Sequence, residues 1–271
     1  MTYRWLSFLT DYGLRDGFVA ACHGVIARIA PDVRVIDVTH SVPPQGIRHG
    51  AEVLAQTAPY LPDAVHLAVV DPGVGTARRG VVVVADRGLL VGPDNGLLVP
   101  AAEALGGVRA AYELAEPAYR LPEVSATFHG RDVFAPAAAH LVSGVLPERL
   151  GPPVPELVRL PEPKVVARPG QLVAEVLTVD HFGNVQLAAT AADLDAAELG
   201  RWLLVHCGQN ELPAARGRTF ADRPIGEAVL FTDSAGRLAV AVNGGSAAGA
   251  LGLTGYPAAQ LCTITSSPTA T

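Results

Sequence analysis

At 271 residues, with 49% hydrophobic and 17% charged side chains, the chain has the composition of one large or two modest globular domains, and disorder is excluded. A formal net charge of −6 without any Lys/Arg cluster argues against a nucleic-acid partner. No apolar run reaches the ~20 residues that span a bilayer, and the opening MTYRWLSFLTDYG lacks the charged-then-apolar pattern of an export signal, so a cytoplasmic protein with no membrane partner is expected.

In chain order, residues 5–10 read as a short buried strand. Phe18, Cys22, Val25, Ile26 and Ile29 then recur at helical spacing, with Asp16 available as a cap and Pro31 as a stop. A second strand is expected over 33–38, a helix through Ile47, Ala51, Leu54 and Ala58, and a third strand over 65–70. Residues 81–85 and 89–91 read as strands joined by Asp86-Arg87-Gly88, and 97–105 and 133–142 as helices. Strands alternating with helices predict an α/β layer with a mostly parallel sheet. Six prolines then fall between 150 and 170, and beyond them strand signals dominate: 172–179, 184–188, 202–207, 228–232 and 238–242. The expected organisation is an N-terminal α/β domain over 1–155, a proline-rich linker over 156–170, and a smaller, mostly antiparallel β domain over 171–271. The small polar tail from Ser266 to Thr271 reads as frayed. Cys22, Cys207 and Cys262 are odd in number, widely separated and form no CxxC pair, so neither a disulfide framework nor a zinc–thiolate site is expected.

The stretch VVDPGVGTARRG, residues 69–80, ends an apolar run on Asp71 and continues through a glycine-rich turn to Arg78 and Arg79. It is not a dinucleotide loop: the third glycine is missing at the required spacing, and the VVVV that follows Gly80 makes a strand where a phosphate site needs a helix N-terminus. A surface Asp–Arg pair stabilising a turn is the plain alternative. Asp71 nevertheless sits at the C-terminal end of a buried strand, where open α/β sheets bind ligands. Asp11, in LTDYG, ends the first strand at the same edge if the two are parallel, and a carboxylate there suits a vicinal diol. His129, in TFHGRD, stands on a loop just before a helix, with Arg131 and Asp132 available as caps. His40, His66 and His140 read as structural, and no histidine pair shows a metal-binding spacing such as HExxH, so no metal site is expected. VDHFGNV combines Asp180, Phe182 and Asn184 around a tight turn; it is either ordinary hairpin chemistry or a recognition loop. Asp94 and Asn95 in GPDNG are expected to shape backbone only.

LTDYG, IDVTHSVPPQ, VVDPGVGTARR, GPDNGLL, TFHGRD, VDHFGNV, TFAD and VNGGSAA occur in this order along nearly the whole chain. Together they resemble the S-adenosylmethionine hydroxide adenosyltransferases, a family sharing its fold with the fluorinating and chlorinating S-adenosylmethionine enzymes. The resemblance implies hydrolysis of S-adenosylmethionine to adenosine and L-methionine, no metal or organic cofactor, and a homotrimer with sites at subunit interfaces. It places a water-activating set on Asp71, Arg78 and His129 and the ribose carboxylate on Asp11. It assigns the methionine ammonium to Asp180, adenine contacts to Asn184 and Phe220 with Phe182 nearby, the methionine end to Ser234, and a backbone contact near the base to Gly244. Ala235 stands where the halogenating branch carries an arginine, which is a departure at the methionine carboxylate. The other readings are a halogenase on the same fold, a non-catalytic S-adenosylmethionine or adenosine binder, and, more remotely, a metal-dependent phosphohydrolase built on Asp11, Asp16 and His129.

Overall fold

A computed structural model of the chain describes residues 3–253 and 260–267. Two compact units divide between Leu160 and Pro161. In the first, strands β1 (Trp5–Thr10), β2 (Arg34–Thr39), β3 (Ala64–Val69), β4 (Gly80–Ala85), β5 (Gly88–Pro93) and β6 (Val108–Glu113) form one sheet in the order β2-β1-β3-β5-β4-β6. β2, β1, β3 and β5 run parallel, while β4 pairs antiparallel with β5 and β6. This is the α/β unit with a mostly parallel sheet that the alternation of elements predicts.

Both faces of this sheet are covered, which explains why its central strands read as unbroken apolar runs. Alternate side chains point to opposite faces. Leu6, Phe8, Leu67 and Val69 pack with helices α1 (Phe18–Ile29) and α4 (Ala135–Val142). Leu9, Ala68 and Leu90 pack on the other side with α2 (Ile47–Thr57) and α3 (Val99–Ala104). Two local expectations change. Helix α1 is capped by Gly17 with no side-chain bond, so Asp16 does not cap it. The helix expected over 133–142 begins instead with a π-helical turn, Gly130–Phe134, before α4.

His66, on β3, is fully buried, with Nδ1 2.8 Å from the Ser7 hydroxyl. Burial, with the Arg87 charge adding to it, pushes its imidazole down to about 4. Below pH ~6.5 an unfolded chain takes up a proton there that the folded protein refuses, so stability falls as pH drops from ~6.5 toward the folded value. Between pH 6.5 and 5 the expected loss from this residue is about 2 kcal/mol. Urea midpoints measured across that range should show it. A His66→Gln variant, which keeps a partner for Ser7, should lose about one proton of the slope.

The second unit is a sheet of eight strands, β7 (Val165–Arg168), β8 (Gln171–Val179), β9 (Val185–Leu187), β10 (Trp202–Cys207), β11 (Asn210–Arg216), β12 (Ala228–Thr232), β13 (Leu238–Val242) and β14 (Leu261–Ser266). The order is β14-β10-β11-β12-β13-β9-β8-β7, and an extra β14–β8 pairing closes it into a barrel. Among the described residues, only the β11–β12 pairing of this sheet is parallel. Leu172, Val185, Leu203, Leu230, Val240 and Ile264 fill the interior. Ser266 closes the last strand and so is not frayed, and the remainder of the expected tail, from 268 on, lies outside the described residues.

One sequence expectation is overturned here. Cys207 and Cys262 form a disulfide, their Cα atoms 4.5 Å apart. They face each other across the antiparallel β10–β14 pair, and both are fully buried. Fifty-five residues separate them, so their adjacency is created by strand order rather than by any spacing in the sequence. Cys22 remains a free, buried thiol, and burial raises its pKa to about 12, which leaves it unreactive.

Candidate active site

The loop after β3 coils back on itself. Val74 N–H donates to the Asp71 carbonyl at 3.2 Å, Thr76 N–H to the Gly73 carbonyl at 3.2 Å, and Thr76 Oγ1 accepts from Arg78 N–H at 3.3 Å. These turns return Arg78 to Asp71. Its Nε donates to Asp71 Oδ1 at 2.9 Å and its Nη2 to Oδ2, a bidentate fork with both side chains largely buried. This is not the exposed surface pair of the plain alternative. The second hydrogen of Nη2 points at His129 Nδ1, 2.9 Å away. Arg78 also lies over the Phe134 ring, 5.0 Å from its centroid. One guanidinium therefore fixes a carboxylate and an imidazole from loops 51 residues apart.

Arg79, its neighbour, turns elsewhere. It donates through Nε to Asp94 at 3.0 Å and through Nη2 to the Glu156 carbonyl at 2.9 Å. Asp94 is buried and also accepts from Val158 N–H at 2.9 Å, and Asn95 Nδ2 donates to the Val70 carbonyl at 2.9 Å. Asp94 and Asn95 thus do more than shape a turn: they anchor Arg79 and the end of β3.

His129 is placed by the π-helical turn. Asp132, fully buried, accepts from Ser125 N–H at 2.8 Å and pairs with Arg131, whose guanidinium covers Phe128. Gly130 is required at its position, because a Cβ there would sit 2.0 Å from the Tyr12 hydroxyl. Gly75, with φ +77°, has the Ala126 carbonyl 2.5 Å from where a Cβ would be, so the two site loops touch backbone to backbone.

Asp11 and Asp71 end β1 and β3, which are parallel neighbours, so both lie at the carboxyl edge of the sheet as expected. Asp11 Oδ2 accepts from Gln45 N–H at 3.0 Å. Gln45 itself adopts φ +65°, a left-handed conformation that non-glycine residues avoid. A cleft of about 300 Å³ is lined by Asp11, Tyr12, Phe18, Asp71, Phe128 and His129. Burial raises the pKa of Asp11 above the usual carboxylate range; backbone N–H groups, Gln45's among them, oppose the rise and the Asp71 charge adds to it. Burial and the Arg78 charge hold His129 below the usual imidazole value, with Asp71 pulling the other way. Tyr12 is raised by burial and stays a neutral hydroxyl.

The remaining expected residues belong to the second unit. Asp180 Oδ1 accepts from Phe182 N–H and Asn184 N–H, both at 2.9 Å, and its Oδ2 accepts from Asn184 Nδ2 at 2.7 Å. This is the hairpin chemistry expected on one reading, and it leaves Phe182 74% exposed. Gly244, at φ +70°, follows β13, which pairs with the start of β9, so it lies at the same end of the barrel as Asn184. Ser234 is exposed in the turn at the other end of the β12–β13 hairpin. Phe220 stands half exposed against Phe231 of β12, ring centroids 5.2 Å apart. The structure therefore groups Asp11, Asp71, Arg78 and His129 around one cleft and Asp180, Phe182, Asn184 and Gly244 at one barrel end, with Ser234 apart. Tyr12 and Gln45 lie inside LTDYG and IDVTHSVPPQ, and those motifs are the signal the sequence offers for them.

An ion-paired carboxylate and an imidazole held by one arginine lie at the carboxyl edge of a parallel sheet and open to a cleft, a placement suited to an α/β enzyme. The chain belongs to the SAM hydroxide adenosyltransferase family: residues 6–151 match its N-terminal domain and residues 174–257 its C-terminal domain. It is 61% identical over 252 residues to the (R)-S-adenosyl-L-methionine hydrolase of Salinispora arenicola, covering 92% of this chain and 94% of that one. A fluorinase from an Actinoplanes species is 30% identical over 88% of this chain and 90% of its own. In structure the chain resembles an uncharacterized conserved protein from Thermotoga maritima, with a TM-score of 0.85 and 36% identity over 96% of this chain and 99% of that one.

Proposed function

We propose that the protein hydrolyses S-adenosyl-L-methionine to adenosine and L-methionine, with water attacking the ribose C5′. The observation that carries this reading is the Arg78 fork, which presents Asp71 and His129 together to the cleft. The new bond joins the water oxygen to C5′. The C5′–S bond breaks with its electron pair staying on sulfur, so the sulfonium leaves as a neutral thioether and needs no acid. The difficulty lies in the nucleophile. Arg78 donates to His129 Nδ1, so the neutral ring carries its proton on Nε2 and acts as a donor that orients the water oxygen. Asp71 is then the acceptor for the departing proton. A carboxylate beside the attack point also repels halide, which disfavours halogenation. Asp11 takes the ribose diol. Asp180, Phe182, Asn184, Phe220, Ser234 and Gly244 receive the adenine and methionine portions.

The reaction uses no metal or organic cofactor, and the protein acts as a homotrimer with sites at subunit interfaces. None of the helices among the described residues is long and apolar enough to cross a membrane. Action in the cytoplasm is proposed, where burial of the Cys207–Cys262 bond shields it from thiol exchange.

The test is incubation of purified protein with each sulfonium epimer, with and without chloride, followed by chromatography; light scattering gives the assembly. Equal amounts of adenosine and methionine, independent of chloride, support the reading. A 5′-chlorinated nucleoside, or tight binding without turnover, overturns it in favour of the halogenase or the binder.

Protonating His129 would set a second donor against Arg78, so activity requires the neutral ring. kcat/KM is therefore expected to be flat near neutral pH and to fall on acidification, with a midpoint below the ~6.5 of a free imidazole. A pH profile checks this, and the His129 Cε1–H resonance should titrate with the same midpoint.

A further inference from the structure

Three side chains outside the cleft converge beside β1. His23 lies on α1, Asp37 on β2, and His40 just beyond β2. His23 Nε2 and His40 Nε2 each lie 3.0 Å from the same oxygen, Asp37 Oδ1, and the three donor atoms are all within 4.8 Å of one another. The set is built rather than incidental. Buried Phe8 packs edge-on against both imidazoles, ring centroids 5.6 and 4.8 Å away. His40 is only 4% exposed, and its Nδ1 is 2.9 Å from Thr10 Oγ1. Its Nε2 is buried and makes no hydrogen bond among the described residues, although Asp37 Oδ1 lies 3.0 Å away. The outer side is open, since the Asp37 side chain is 46% exposed.

A tetrahedral ion about 2.0–2.1 Å from each donor would hold the donor atoms about 3.3–3.4 Å apart. Both nitrogen–oxygen separations are 3.0 Å, the His23 contact being a hydrogen bond, so the donors need to part by only a few tenths of an ångström as an ion replaces that bond. Two imidazoles and one carboxylate suit zinc and its divalent first-row neighbours, whereas calcium and magnesium prefer all-oxygen shells. In the tautomer whose Nδ1–H donates to Thr10 Oγ1, the His40 Nε2 lone pair is free for a metal, the second-shell arrangement common to ligating histidines. His23 and His40 lie on separate elements, so no spacing in the sequence discloses them.

We propose that His23 Nε2, Asp37 Oδ1 and His40 Nε2 form a binding site for a divalent transition-metal ion, with water completing the shell. The ion takes no part in the chemistry. It ties α1 to the carboxyl edge of the sheet and braces the turn that carries Asp11. Two contacts connect them: the His40 carbonyl accepts from Gly13 N–H at 2.7 Å, and Thr10 Oγ1 accepts from Tyr12 N–H at 3.2 Å.

The test is calorimetric titration of chelator-stripped full-length protein with ZnCl2, with CoCl2 absorption as a second readout. The expected result is one saturable zinc per chain, visible cobalt bands, and a Tm raised by zinc. His23→Gln and Asp37→Asn should each weaken binding by at least the ~10–100-fold that loss of an outer-shell partner costs. His206→Gln, which removes another surface His–carboxylate pair with Glu211, should leave it unchanged. Absence of saturable binding, or binding undiminished in both site variants, overturns the proposal. Turnover of S-adenosylmethionine in EDTA is measured separately, so failure here does not touch the hydrolase reading.

Discussion

Replacing Asp71 with asparagine should lower kcat by about 10²–10⁴-fold while KM changes little. Asparagine keeps the shape of the side chain but lacks the carboxylate's charge, and its amide cannot take the water's proton. Its Nδ2 would also set a donor against Arg78, which now gives both arms of its fork to the carboxylate. Contacts to ribose and adenine are assigned to other residues, so substrate should still bind. The substitution also leaves a largely buried guanidinium without its anion, a change that costs about 3–5 kcal/mol when a buried pair is broken. Kinetics therefore need to be read alongside circular dichroism and a direct binding titration. A folded variant that binds substrate and turns over at the wild-type rate would remove Asp71 from the mechanism.

Arg78→Lys is the second large effect, and it separates charge from geometry. Lysine keeps the positive charge but is a point donor on a flexible stem, unable to hold a carboxylate bidentately and an imidazole at once. At least one charge-assisted bond is lost, each contributing about 1.5–3 kcal/mol, so kcat should fall by at least roughly 10–100-fold. A merely structural role would stop there. The proposed role adds a second signature, read in Arg78→Gln, which removes the charge that Arg78→Lys retains: there His129 should titrate closer to the ordinary imidazole value, moving the acid limb of kcat/KM upward. Arg79→Lys is the matched control. Arg79 serves Asp94 and the Glu156 carbonyl, so its replacement should alter stability and leave kcat near wild type.

The first unit was largely legible because its elements are contiguous and their patterns local. The apolar run of β1, the helical spacing of α1 and the β-branched VVVV of β4 each state their conformation within a few residues. The Asp71–Arg78 pairing lay within one loop and so within reach of inspection. His129 joined them only through resemblance, because it comes from a loop 51 residues away that the fold brings alongside. The β11 strand was hidden by Pro213, which is tolerated because β12 pairs only with residues 214–216 of β11. The Cys207–Cys262 bond depends on β10 and β14 being neighbours in the barrel, a tertiary fact. Gln45 gives no sign in its identity that it holds a left-handed backbone or that its N–H donates to Asp11.

The π-helical turn ahead of α4 turns catalytic geometry into a matter of phase. Ala135 N–H reaches back five residues to the Gly130 carbonyl, where an α-helix reaches four. The turn is in effect an α-helix carrying one surplus residue. Removing any one residue from 130–134 would let the helix close regularly, and everything upstream would rotate by about 100°, swinging His129 off Arg78. The imidazole's aim is thus stored as chain length. It can survive many exchanges of side chain along this helix, but not a one-residue deletion, which any grafting or trimming of the segment would have to respect.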